Sequence, residues 1–154
     1  MRTTYHDPMH TCQDAIKHNQ TELAARLDLA MTLADQSAEL IMSHFGNTRI
    51  EADTKSDGSP VTEADRGAET LMRRAIQSHF GDDGMLGEEH GTESGTSGYT
   101  WVIDPIDGTV SFMHGVPVFG TLIGIDVIKL VDHGIDLGRL RPIIVRGIFL
   151  LSGD

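Results

Sequence analysis

Two aspartates stand three residues apart in WVIDPIDGT, Trp101 to Thr109. Asp104 and Asp107 flank Pro105-Ile106, just past a short apolar run, and Asp107 is followed by Gly-Thr. Such a stretch reads either as an ordinary surface turn, in which Asp, Pro and Gly are common, or as a pair of carboxylates holding something positive. Further acids fall at the edges of predicted elements: Asp65 at a helix start and Glu88 at a strand end. Ligand sets made only of oxygen suit hard cations such as Mg²⁺. A turn at Pro105-Ile106 would aim both aspartates inward and expose the Ile106 carbonyl as one more oxygen. The Gly108 and Thr109 amides, at a predicted helix N-terminus, are placed to hold a phosphate oxygen. One cation would polarise a phosphoryl group and another would lower the pKa of an attacking water. No Walker loop, Ser-His-Asp triad or cysteine nucleophile is recognisable.

These residues need elements to position them. Leu23, Leu27, Ala30, Ala34, Ala38, Ile41 and Phe45 recur at three- and four-residue steps, so a helix is expected from Thr21 to Phe45, ended by Gly46. Arg49 to Asp53 alternates weakly and reads as a strand, and Asp57-Gly58 is a turn signal. Thr62 and Asp65 have the spacing of a capping box for a second helix from about Glu63 to Phe80, with Ala64, Ala68, Leu71, Ala75 and Ile76 on its buried face. GMLGEE is a short strand running into Glu88 and Glu89, and GTESGTSG reads as a flexible loop. Tyr99 to Ile103 is a strand that delivers Asp104 at its end. Gly108 to Met113 opens a short helix, and Val116 to Ile125 is a further strand. The fold class is therefore α+β or mixed α/β.

The bulk numbers agree with one compact domain: 154 residues, 39% hydrophobic and 23% charged. The net charge of −11 argues against a broad nucleic-acid-binding surface. The single Cys12 excludes an intramolecular disulfide and a cysteine-rich zinc site, and fits a reducing cytoplasm. No run approaches a membrane span, and the N-terminus lacks the apolar centre of a signal peptide. Residues 1–20 are polar and patternless and are expected to form a mobile, solvated arm. Their His6, His10 and His18 are the alternative there, as a short chelating cluster.

Each acidic feature has a plain reading on its own: DPIDG as a structural turn, Asp65 as a helix cap, Gly-Glu-Glu as a solvated face. Together they resemble a known family. WVIDPIDGT resembles the signature of the inositol monophosphatase-like family, the Mg²⁺-dependent, lithium-sensitive phosphatases. LGEEHG resembles its Gly-Glu-Glu segment, and KSDGSPVTEAD its upstream Lys…Asp…Thr…Asp segment, in the family's order. The likeness covers about Leu23 to Ile125, and SFMHGVPVFGTLIG is closer to the histidinol-phosphate phosphatase branch. The resemblance implies a layered α/β sandwich and a small phosphorylated metabolite as substrate. Histidinol phosphate leads, followed by inositol phosphate and then a phosphorylated nucleotide. It implies Glu88, Asp104, Asp107 and the Ile106 carbonyl as metal ligands. Asp65 and Thr109 would orient or deprotonate the attacking water, and Gly108 and Thr109 would contact phosphate. Lys55 and Asp57 fall in the matching segment without a fixed role. Glu89 reads as a supporting or surface acid, His90 and His114 as non-ligands, and Ser111, Phe112 and Trp101 as packing residues.

After Ile125 the pattern stops. Residues 1–125 carry 19 acidic and 8 basic side chains, whereas residues 126–154 carry four of each. Family members continue much further, and their second half supplies another metal-binding aspartate and most substrate contacts. Asp126, Asp132, Asp136 and Asp154 lie in the wrong context to replace that aspartate. The expectation is the N-terminal, metal-binding part of a phosphatase domain at 21–125 followed by an atypical tail, 126–154, in a truncated or frameshifted product; translating the other reading frames would test this. A catalytically inactive fragment with partial metal binding is the alternative function. Without the second half, apolar surface should be exposed. PIIVRGIFLL is then expected to pair as a makeshift strand, with aggregation or a homodimer through an open sheet edge as the alternative.

Overall fold

The computed structural model describes residues 8–46, 52–55, 58, 60–127 and 145–148, of which 8–19 and 145–148 are described by their backbone. The first helix, α1, runs Pro8–His44. It therefore begins well before Thr21, and residues 8–20 form its first turns. The reason is local. Proline is tolerated at the first helical position, and no glycine or second proline interrupts the chain before Gly46. Apolar periodicity marks only the stretch that packs: Arg26, Ala30, Leu33, Ala34, Ser37 and Ile41 form its buried stripe. Gly46, at φ 76°, follows the helix end.

A two-stranded ribbon follows, β1 (Ala52–Thr54) paired antiparallel with β2 (Pro60–Thr62). The strand expected at Arg49–Asp53 thus lies at Ala52–Thr54, and residues 49–51 and Asp57 are outside the described residues. Helix α2, Glu63–His79, starts as the sequence predicts: the Thr62 side chain accepts from the Asp65 amide, and the Asp65 carboxylate accepts from the Thr62 amide. Ala64, Ala68, Met72 and Ile76 are buried at four-residue steps, while Leu71 and Ala75 are only half-buried. Asp65 and Glu69 are buried on the same helix.

The main sheet has the order β4-β3-β5-β6-β7. Strand β3 (Gly84–Gly87) pairs parallel with β5 (Tyr99–Asp107) and antiparallel with β4 (Gly91–Glu93). The segment read as a wholly flexible loop thus contains an edge strand, exposed throughout, which sequence patterning cannot signal. Strand β5 pairs antiparallel with β6 (Gly120–Val127), with a register shift between Asp104 and Asp107. Between them α3 (Thr109–Met113) makes the short predicted helix. Strand β7 (Val145–Ile148) adds antiparallel to β6, so the pairing expected of PIIVRGIFLL is present.

One face of the sheet carries the core. Met85, Trp101, Ile103, Ile123 and Ile125 pack with Ala30 and Leu33 of α1 and Met72 and Ile76 of α2. The alternate residues Leu86 and Val102, partners across β3 and β5, stay exposed. A second cluster sits nearer the acids: Ile41, Ala64, Ala68, Ile106 and Phe112, with Phe45 and Phe119 against it. Its rings meet at centroid distances of 5.8, 5.2 and 5.1 Å.

One polar network crosses the core. Arg26 donates to both carboxylate oxygens of Asp83 at 2.8 Å. Its guanidinium lies 3.7 Å from the Tyr99 ring centroid and 4.3 Å from that of Phe80. Asp83 also accepts from the Ser97 hydroxyl at 2.6 Å and from Trp101 Nε1 at 2.9 Å. Burial alone would raise the Asp83 pKa, but the hydrogen bonds from Arg26, Ser97 and Trp101 outweigh it and hold the carboxyl below its ordinary value.

Candidate active site

The acids converge because three element ends converge. Strand β3 stops at Gly87, and the Glu88 amide donates to the Ile103 carbonyl of β5 at 3.1 Å, tying the Gly-Glu-Glu turn beside Asp104. Strand β5 does not end at Ile103 in a tight turn. It continues to Asp107 through an irregularity that carries Asp104 to Asp107 past their β6 partners, as a bulge does. The Thr121 hydroxyl pins this irregularity by donating to the Pro105 carbonyl at 2.9 Å. Glycine at 108 adopts φ 99°, and an added Cβ there would lie 3.0 Å from the Val118 carbonyl. Ile106 buries its side chain in the second cluster.

Asp104 is the focus. Its pKa is pushed up to about 8, first by burial, then by a hydrogen bond with Glu88 and by the negative charges of Glu88, Asp107 and Asp65. Its Oδ1 is buried and has no hydrogen-bond partner among the described residues. A buried carboxylate oxygen left bare is costly, and a cation is the partner that this donor set suits.

Asp65 is nearly fully buried at the start of α2. Its Oδ2 accepts from the Thr62 amide at 2.8 Å and from the Thr62 hydroxyl. The Thr109 hydroxyl lies 3.3 Å from Asp65 Oδ1 and 3.0 Å from the Ile106 carbonyl, so its single proton goes to one or the other. The Thr109 hydroxyl thus stands between the Asp65 carboxylate and the Ile106 carbonyl.

Lys55 brings a positive charge to the acids. Its Nζ lies 2.7 Å from Glu88 Oε1 and 2.8 Å from Glu89 Oε1. Burial opposes its charge, but the two glutamates prevail and hold the ammonium well above its ordinary pKa. Glu89 is not a surface acid: its side chain is 5% exposed against 44% for Glu88. Burial raises its pKa despite Lys55. Among the described residues, no three His, Cys, Asp or Glu side chains form a group arranged to hold a metal ion.

Neither histidine joins the cluster through its side chain: His114 Nδ1 pairs with the Val110 carbonyl at 2.7 Å and His90 faces Glu69 and Thr70. Trp101 and Phe112 are fully buried packing residues. Sequence reasoning missed Glu69, a fully buried carboxylate directly beneath the Gly-Glu-Glu turn. The available signal was an acid four residues after Asp65 on an otherwise apolar helix face.

Residues 22–135 match the inositol monophosphatase family. The chain belongs to that family. The match reaches beyond Ile125, where the sequence pattern was expected to stop. A histidinol-phosphatase from Chlorobaculum parvum is 44% identical over 109 residues, covering 71% of this chain and 42% of that protein. Among solved structures, the extragenic suppressor protein suhB of Bartonella henselae gives a TM-score of 0.63 at 26% identity, covering 67% of this chain and 41% of that one. An inositol monophosphatase from Zymomonas mobilis gives 0.53 at 40% identity, covering 68% and 39%. The architecture is thus an α+β part of the inositol monophosphatase fold, and the chain spans about two fifths of the length of the relatives it matches. Among the described residues, no helix is long and apolar enough to cross a membrane.

Proposed function

We propose that this chain carries the acidic half of a Mg²⁺-dependent phosphomonoesterase site acting on a small phosphorylated metabolite, with histidinol phosphate as the leading substrate and inositol monophosphate second. The observation that carries the reading is the bare, buried Asp104 Oδ1, in a carboxyl hydrogen-bonded to Glu88 and close to Asp107 and Asp65. A phosphate dianion would be repelled by such a group of acids, and Lys55 alone does not balance them. Glu88, Asp104, Asp107 and the Ile106 carbonyl would hold the cation. When bound, it supplies charge neutralisation at the phosphoryl group and a lowered pKa for the attacking water. Asp65 would accept a proton from that water, with Thr109 orienting it. The Gly108 and Thr109 amides would hold a phosphate oxygen. The histidinol-phosphate preference rests on the name of the 44% identical relative.

A second reading has its own support. Lys55 already bridges Glu88 and Glu89, so a cation there would have to compete with its ammonium. A chain that binds the cation without turnover fits this arrangement. Phosphate release from histidinol phosphate and inositol monophosphate, with and without Mg²⁺ and with Asp104→Asn as control, separates the two. Mg²⁺-stimulated release lost in the variant supports the phosphatase. Cation binding with no release supports the inactive chain, and release retained in Asp104→Asn refutes the site.

A further inference from the structure

Glu69 is fully buried on α2, one turn after Asp65, yet the reaction outlined above does not use it. Its two oxygens are divided between distinct tasks. Oε2 accepts the Glu89 amide at 2.7 Å, while Oε1 accepts the His90 amide at 3.2 Å and Arg73 Nε at 2.7 Å. Both amides belong to the turn that follows Glu88. The packing is equally tight from the strand side, because a Cβ on Gly87 would lie 1.9 Å from Glu69 Oε1. Glycine at 87 and a carboxylate at 69 are therefore matched to each other. Arg73 balances the charge of Glu69 and also hydrogen-bonds the Gly91 carbonyl at the far end of the same turn.

A glutamine at 69 would have nearly the same shape. It would offer one acceptor and one donor, so one of the two buried-side amides would face an N–H instead of an oxygen. An anion at this place adds repulsion to a neighbourhood already rich in acids. It is accounted for if both oxygens are needed to fix the turn.

We propose that Glu69 is a positioning residue: its carboxylate clamps the Glu88–His90 turn through the Glu89 and His90 amides and so fixes the Glu88 carboxylate beside Asp104. This role rests on the phosphatase reading for its purpose, but the clamp itself can be tested apart from it. Residues that support a metal ligand from behind commonly change metal affinity by about 10–100-fold when altered.

The test compares the full chain with Glu69→Gln by two measurements, Mg²⁺ titration and residue-resolved amide exchange. Ile76→Val is the control, since it weakens the same helix without touching the turn. In Glu69→Gln, the Glu89 and His90 amides should exchange at least about tenfold faster than in the control. Mg²⁺ affinity should fall by about tenfold or more while helix content is retained. Gly87→Ala, which pushes the carboxylate out from the strand side, should produce the same pair of changes and serves if Glu69→Gln does not fold. Amides that stay protected, or Mg²⁺ affinity no lower than in Ile76→Val, would overturn the proposal. If the unaltered chain binds no Mg²⁺, the exchange measurement still decides the clamp, and the failure then belongs to the phosphatase reading.

Discussion

Replacing Asp83 with asparagine removes one charge from the ion pair that fastens α1 to the sheet. The pair is buried on both sides, with side-chain exposures of 5% for Arg26 and 1% for Asp83. Breaking such a pair by neutralising one partner costs about 3–5 kcal/mol, because the remaining charge is stranded out of water. Here Arg26 keeps Glu22, at 2.9 Å, and the faces of Phe80 and Tyr99, so the lower end applies. About 3 kcal/mol in a chain of this size lowers Tm by about 6–12 °C. Urea unfolding of the unaltered chain and Asp83→Asn, analysed with Arg26→Met in a double-mutant cycle, measures the loss and its coupling. The pH dependence adds an independent check. The folded pKa of Asp83 is depressed, so its contribution is fully present above its unfolded value, about 3.8, and is lost as pH falls through the lower folded value. The acid limb of the stability profile should therefore be shallower in Asp83→Asn. A loss below about 1 kcal/mol, the range of exposed pairs, with an unchanged acid limb would refute the reasoning.

Two further substitutions test the supports of the site. Thr62→Ala removes the capping hydroxyl of α2 and should cost about 1 kcal/mol in chemical denaturation; because the same hydroxyl holds Asp65, Mg²⁺ affinity should fall as well. Phe112→Ala empties the centre of the Phe45–Phe112–Phe119 cluster and should cost about 3–5 kcal/mol, read from the same curves.

What the sequence disclosed follows from which interactions are local. The capping box, the start of α2, the strand leading into Glu88 and the short helix after Gly108 all depend on neighbours within a few residues, and they appear as expected. The start of α1 was misplaced because its early turns carry no apolar stripe to read, although nothing there breaks a helix. Strand β4 was missed because it is exposed and glycine-rich and is defined by pairing with β3 alone. The site residues were named through family motifs. Three features were not legible: the continuation of β5 through Pro105, the burial of Glu89 and the clamp formed by Glu69. Each depends on contacts between segments distant in sequence. Arg26 and Asp83, 57 residues apart, are the extreme case. Periodicity reports which face of an element is buried, not which polar group meets which inside.

The most direct measurement is calorimetric titration of the full chain with Mg²⁺, run beside Asp104→Asn. If Asp104 is the centre of a cation site, the unaltered chain should bind Mg²⁺ and the variant should bind on the order of tenfold more weakly or not at all, since affinity follows the charge of the ligand set. Equal binding by both proteins, or no binding by a folded, soluble chain, would contradict the assignment of these acids to a metal-dependent phosphatase site.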